Sequence, residues 1–251
     1  MTAAVGSGFD PPVELRGILF DYGGTLDGAA SHWLDRMIEL LAAAGVDHPF
    51  ERVKSAFYRA DDAAYADPRV AAMSLAELMD FHVRVQLEEL GVDDARVHRR
   101  VVEGFVARSA TALAMHRSAL ERLAQRYRLG VVSNFYGNVE RILADAGIAP
   151  LLCVVADSNR LGCMKPNRRI FEHALAGLGT SPETTLHVGD SYERDVCAAR
   201  ALGLRTAWLV APDRRAASSA AGADLVICSL DELVAALETS AAQPEPYIAE
   251  R

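Results

Sequence analysis

The stretch ILFDYGGTLDG, Ile18 to Gly28, decides how the chain reads. An apolar run stops at Asp21, and Gly23, Gly24 and Thr25 follow at once. A short unbroken apolar run of this kind suits a strand buried on both faces of a parallel sheet. The same texture returns in LGVVSNF, LLCVVADS, TLHVGDS, RTAWLVA and ADLVICS, each ending in polar residues or glycine. Helical patterns lie between most of these runs. SALERLAQRY puts Leu120, Leu123 and Tyr127 on one face, and NVERILADAGI does the same for Val139, Ile142, Leu143 and Ala146 before Gly147 ends it. RRIFEHALAGLG and DVCAARALGL repeat the scheme. Strand–helix alternation predicts βαβ units, right-handed crossovers and a doubly wound parallel α/β sheet.

One region breaks the alternation. From about Ser31 to Ala112 there is no strand pattern, and HWLDRMIELLAAAG, ERVKSAFYRADDAAY, SLAELMDFHVRVQLEELG and RVHRRVVEGFVARSATAL read as four helices. Ser74 with Glu77 three residues on forms a capping box for the third. The expected organisation is an α/β core over residues 15–28 and 113–238, interrupted by an all-helical cap over 29–112. Residues 1–14 and 239–251, rich in small residues and proline, are expected to be flexible ends.

Composition narrows the classes of function. A chain of 251 residues that is 51% hydrophobic supports a large core. Its 26 basic and 34 acidic residues give a formal charge of −8, which disfavours nucleic acid as a partner. No run approaches the ~18 apolar residues of a spanning helix, and the first residues lack the charge and apolar stretch of a signal peptide. The expectation is a cytoplasmic protein with no membrane partner, whose oligomeric state the sequence leaves open. Cys153, Cys163, Cys197 and Cys228 show no C-x-x-C spacing and read as reduced thiols.

In a parallel α/β sheet, ligands bind beyond the carboxyl ends of the strands. The first strand ends at Asp21, followed by Gly23, Gly24 and Thr25; the second ends in Ser133 and Asn134. The loop after the third carries Lys165, and the fourth ends in Gly189-Asp190, with Asp195 five residues further. Asp21 and Asp190 would repel each other at neighbouring strand tips unless a cation sat between them. Their hard oxygens suit Mg²⁺, which keeps several waters and binds substrate phosphate. The free oxygen of Asp21 could then attack phosphorus to form an aspartyl-phosphate. Lys165 is a mobile charge for the phosphate oxygens. Ser133, Asn134 and the amides of the glycine turn, Gly24 included, are donors to the same oxygens.

These four stations, in this order, resemble the motifs of the haloacid dehalogenase-like hydrolase superfamily: Asp21 with Thr25, then Ser133, then Lys165, then Asp190 with Asp195. The resemblance spans about Arg16 to Leu237, and the helical insertion after the first motif looks like that family's helical cap. It implies an Mg²⁺-dependent phosphatase acting on a small phosphorylated metabolite, with Asp21, Lys165 and Thr25 catalytic. It also implies that the metal is held by Asp21, the Gly23 carbonyl and Asp190, with Asp195 contributing directly or through water.

The sequence departs from the family at one position. Phosphatases of this type usually carry an aspartate where Gly23 stands, to protonate the leaving oxygen and activate water. Such a group contributes about 10²–10⁴-fold in rate. Gly23 can offer only its carbonyl. Either the substrate has a good leaving group, or His32 or Asp27 just beyond the loop substitutes, or the protein mainly binds a phosphorylated ligand with little turnover. Haloacid dehalogenation is the remaining alternative, disfavoured by glycine at 23 and by the intact GDSYERD. Arg59, Arg69, Arg84, Arg99 and Arg108 of the cap could meet an anionic substrate body, while Tyr58 and Tyr65 could face it or pack inside the cap.

Overall fold

A computed structural model describes residues 14–28, 30–218 and 222–239. The ends expected to be flexible lie outside the described residues, apart from positions 14 and 239. Six parallel strands form one sheet: β1 (Gly17–Phe20), β2 (Arg128–Ser133), β3 (Leu152–Asp157), β4 (Thr185–Gly189), β5 (Arg205–Leu209) and β6 (Leu225–Ile227). All six expected strand runs are therefore strands. Their order is β3-β2-β1-β4-β5-β6, so β1 is central and the winding reverses beside it. Phe20 registers with Val131 on one side and Val188 on the other, which brings the ends of β1, β2 and β4 level.

Every residue of β1 is buried. Ile18 and Phe20 belong to the large core cluster and Leu19 to a second one on the opposite face, built largely from a helix at Arg168–Leu178. Two-sided burial is why β1 lacks an alternating pattern and reads as a continuous apolar run.

Four helices follow β1 before β2 begins: α1 (Trp33–Ala43), α2 (Phe50–Ala66), α3 (Leu75–Leu90) and α4 (Ala95–Ala124). The capping box opens α3, with Glu77 N–H donating to Ser74 Oγ and Ser74 N–H donating to Glu77 Oε2. One difference from the sequence reading is substantial. The expected fourth cap helix and the expected SALERLAQRY helix are one continuous helix, α4, and the boundary placed at 112/113 falls inside it. The intervening Ala114-Met115-His116-Arg117 contains no glycine or proline to break the hydrogen-bond ladder. The buried stripe keeps its stride through Ala112, Leu113, His116, Leu120 and Leu123.

The core and the insertion are joined through a buried ion pair. Arg36 on α1 donates from Nη2 to Asp27 Oδ1 at 2.9 Å and from Nη1 to the Asp27 carbonyl at 2.9 Å. Trp33 Nε1 donates to Asp27 Oδ2 at 2.7 Å, and Ser109 of α4 reaches the same oxygen at 3.2 Å. The Arg36 and Asp27 side chains are 3% and 0% exposed. Removing one partner of such a pair strands a charge in a dry site, at a cost of about 3–5 kcal/mol. Arg36→Met is accordingly expected to lower unfolding stability by that amount in urea titrations. A loss below about 1 kcal/mol would show that the pair does not hold the joint together.

Candidate active site

The chain bends sharply after β1. Asp21 N–H still donates to the Val188 carbonyl at 2.8 Å, so the carboxylate stands at the tip of the sheet between β1 and β4. Ligands collect where strand order reverses, and here that is the β1/β4 boundary. Gly24 then takes φ +85°, and a Cβ at that position would lie 2.4 Å from Asp190 Oδ2. Both its backbone conformation and the close approach of Asp190 require glycine. Gly23 differs: its φ −71° and ψ 116° suit any residue, and a Cβ there would meet only the Trp33 ring at 3.7 Å.

Asp21 Oδ1 accepts from Ser133 Oγ at 3.0 Å and from Lys165 Nζ at 2.7 Å. The same ammonium donates to Asp195 Oδ1 at 2.6 Å. Asp195 also takes His187 Nε2 at 3.0 Å and the Ser191 N–H at 3.0 Å. Asn134 clamps the Lys165 backbone in both directions, accepting its N–H at 2.7 Å and donating to its carbonyl at 3.0 Å. Thr25 Oγ1 reaches Asp190 Oδ1 at 3.3 Å. The residues expected from four separate strand ends thus meet in one place, with Asn134 set to position Lys165.

The charges in this cluster do not balance. Oxygens of Asp21, Asp190 and Asp195 lie within 4.8 Å of one another, around the single ammonium of Lys165. Burial alone would lower the Lys165 pKa, but Asp195 and Asp21 reverse this and raise it. Burial works to raise Asp195 as well, yet Lys165 and His187 overcome it and hold that carboxyl well below its usual range. Asp21 is raised by burial and by Asp195, against the pull of Lys165. Asp190 is pushed well above its ordinary 3.8 by burial and by Asp21 and Asp195. Lys165 is committed to Asp21 and Asp195, so Asp190 is the carboxylate whose charge goes uncompensated.

A cleft of about 280 Å³ opens over this cluster. Its floor holds Asp21, Gly23, Ser133, Asn134, Lys165, Asp190 and Asp195, and its roof is one face of α2. His32 lines it, and burial together with Arg194 lowers the pKa of its ring. Its Nδ1 accepts from Leu34 N–H at 3.2 Å, which leaves the hydrogen on Nε2. Asp27 is placed otherwise. Its oxygens are taken by Gly24 N–H, Trp33, Arg36 and Ser109, and it does not line the cleft. The substitute acid or base considered at Asp27 is therefore not positioned for proton transfer, because its carboxylate is spent fixing the loop to the cap. None of the five cap arginines lines the cleft either. Arg59, Arg69, Arg84 and Arg108 pair instead with Glu89, Asp67, Glu88 and Glu39.

Several residues of the site escaped the sequence reading, His187 and Asp61 foremost. His187 lies within the apolar run of β4, and its only signal was a polar ring two residues before Gly189. Asp61 lines the roof; its four-residue spacing from Phe57 and Tyr65 marked a shared face of α2 but not where that face points.

The sequence profile described as haloacid dehalogenase-like hydrolase matches residues 15–203. The chain belongs to the haloacid dehalogenase-like hydrolases. Within that family it is similar to the phosphoserine phosphatase of Thermus thermophilus, 32% identical over 155 residues, covering 59% of this chain and 61% of that one. The chain spans 34–45% of the length of the bovine, mouse and zebrafish haloacid dehalogenase-like hydrolase domain-containing protein 3, to which the matched segments are 34–38% identical. A HAD phosphatase from Thermococcus onnurineus shares the fold at a TM-score of 0.55 and 20% identity, covering 90% of this chain and 99% of that one. A 2-haloacid dehalogenase from Pseudomonas syringae does so at 0.52 and 23%, covering 89% and 98%. Among the described residues no helix is long and apolar enough to cross a membrane.

The Asp190 carboxyl gives a pH test. Its pKa is raised on folding, so the folded state holds that proton more tightly than the unfolded chain does. This contribution is complete below 3.8 and is lost as pH rises through the raised value. In EDTA, the urea stability of wild type should therefore fall relative to Asp190→Asn as pH rises from about 4 through the raised value. Parallel pH profiles for the two proteins would contradict this charge assignment.

Proposed function

We propose that this hydrolase is an Mg²⁺-dependent phosphatase of small phosphorylated metabolites, acting through an aspartyl-phosphate on Asp21. One observation carries the reading. Asp21 Oδ1 is fixed by Ser133 and Lys165, leaving Oδ2 as the oxygen free to attack. The phosphatase relative supports the same reaction class.

The donor set fits the metal. Asp190 is a hard oxygen ligand lacking a counter-charge, and Gly24 has no side chain to keep it from the loop. Asp21, the Gly23 carbonyl and Asp190 would hold Mg²⁺; Asp195, whose oxygens serve Lys165, His187 and Ser191, would act on it at most through water. When bound, the ion supplies charge neutralisation for the carboxylates and the phosphate oxygens.

The chain's own groups account for the rest. Lys165 and Ser133 orient Asp21 and face the phosphate, whereas the Gly24 amide expected to join them is spent on Asp27 Oδ1 at 2.8 Å. Oδ2 of Asp21 attacks phosphorus in line and the P–O bond to the leaving group breaks, its electron pair departing with the leaving oxygen. Water then attacks phosphorus, the bond from Asp21 Oδ2 to phosphorus breaks with its electron pair returning to the carboxylate, and phosphate leaves carrying the protons of the water. No side chain stands at 23 to donate or collect the proton, so leaving groups that depart as stable anions are favoured. His32 is the cleft-lining group of suitable chemistry near the loop. The intact Asp190 favours phosphoryl transfer over attack on a haloacid, which uses no metal.

Two experiments test this. Asp21→Asn should abolish Mg²⁺-dependent phosphate release from aryl phosphates; residual turnover above about 1% of wild type would remove Asp21 as the nucleophile. Gly23→Asp should be accommodated, because the backbone is ordinary and only Trp33 is near. It should raise turnover of alkyl phosphates by up to about 10²-fold while changing aryl phosphates little. Equal fast turnover of both classes by wild type would instead reveal a working acid, with His32→Ala as the variant that locates it.

A further inference from the structure

The roof of the cleft has a character unlike its floor. On α2, Tyr58, Asp61, Asp62 and Tyr65 share the face turned to the cleft. The basic groups lining the same space, Lys165, His32 and Arg194, come from the core and the start of the insertion. The roof therefore presents carboxylates, with the cap arginines engaged elsewhere.

Asp61 is a constructed group and not a stray surface acid. Its Oδ1 accepts from His82 Nε2 at 3.0 Å and from the Tyr136 hydroxyl. His82 is fully buried, and Gln86, also fully buried, donates to its Nδ1 at 2.8 Å, which places the ring hydrogen on the nitrogen facing Asp61. Donors from two sides fix the direction of the carboxylate. The Asp61 side chain remains 19% exposed, toward the cleft. Tyr65 and Tyr136, with ring centroids 4.8 Å apart, and Phe135, 4.9 Å from Tyr136, add aromatic walls beside it. Burial and the Asp61 charge push the Tyr65 phenol up to about 12, so that ring stays neutral. Neutral aromatic faces next to a fixed carboxylate attract a cation and repel a second anion.

We propose that the cleft selects phosphomonoesters whose leaving group carries a positively charged nitrogen, with Asp61 as the specificity-determining residue and Asp62 adding to the field. The phosphate lies on the floor against Lys165 and Ser133, and the nitrogen lies under α2 between Asp61 and the tyrosine rings. This selection rests on the phosphatase reading above. It excludes substrates with an anionic body, such as sugar bisphosphates, because their second anion would face the roof carboxylates.

The test compares O-phosphoethanolamine and its trimethylated analogue phosphocholine with the uncharged propyl phosphate, using the full chain with Mg²⁺. Wild type should show a kcat/KM for the two cationic esters roughly tenfold or more above that for propyl phosphate. Asp61→Asn keeps an oxygen for His82 and Tyr136 while removing the charge. It should bring that ratio toward one, mainly by raising KM for the cationic esters. Asp62→Asn, at an exposed position on the same face, should lower the ratio by a smaller factor. A structural role for Asp61 would change all three esters alike. Equal handling of charged and uncharged esters by wild type, or ratios unchanged in both variants, would overturn the proposal. If 4-nitrophenyl phosphate also goes unhydrolysed, the phosphatase reading fails; if it alone is hydrolysed, that reading stands and the three alkyl esters are compared by binding. Calorimetric binding of phosphoethanolamine against propyl phosphate then decides the selection by itself.

Discussion

The site depends on one ammonium shared among carboxylates. Lys165 sits 2.7 Å from Asp21 and 2.6 Å from Asp195, buried with both. Neither acid would hold its charge at that depth without the lysine, and the lysine would not keep its proton without them. Much of the surrounding sheet end serves this arrangement. Asn134 fixes the lysine backbone, His187 and Ser191 fix Asp195, and Ser133 fixes Asp21. The result is a nucleophile with one oxygen locked and the other presented. Asp190 is left as the charge that the protein does not itself neutralise.

The core was legible because its physics is local. Strands buried on both faces appear as unbroken apolar runs, and parallel topology carries the last residue of each to a common rim. Reading the residues after each run therefore recovered Asp21, Ser133, Lys165 and Asp190 together. What stayed hidden depends on packing directions that no short window contains. Asp27 read as a substitute acid or base because its partners Trp33, Arg36 and Ser109 lie on helices whose approach to the loop only the tertiary fold defines. Arg108 read as a substrate contact because its acidic partner Glu39 is 69 positions away, whereas Arg69 and Arg84 have theirs, Asp67 and Glu88, close by in the sequence. Asp61 was masked by its neighbours in an acidic, alanine-rich stretch.

Gly23 and Gly24 show how two adjacent glycines can have unrelated causes. Gly24 is imposed by the backbone and by Asp190, so almost any side chain there would disrupt the site. No such constraint acts on Gly23, which sits in an ordinary conformation with the Trp33 ring as its near neighbour. The absent shuttle is thus a chemical feature of the chain, not a consequence of crowding.

The single helix α4 has a mechanical consequence. Thirty residues at 1.5 Å each make a rod of about 45 Å running from the far side of the insertion into the core without a joint. The other crossing, between Asp27 and His32, contains Ala30 with φ +69°, an uncommon value for a residue with a Cβ. The two crossings are therefore unequal, one stiff and one kinked. Any movement of α2 relative to the phosphate floor therefore meets, on the α4 side, a crossing with no joint to bend at.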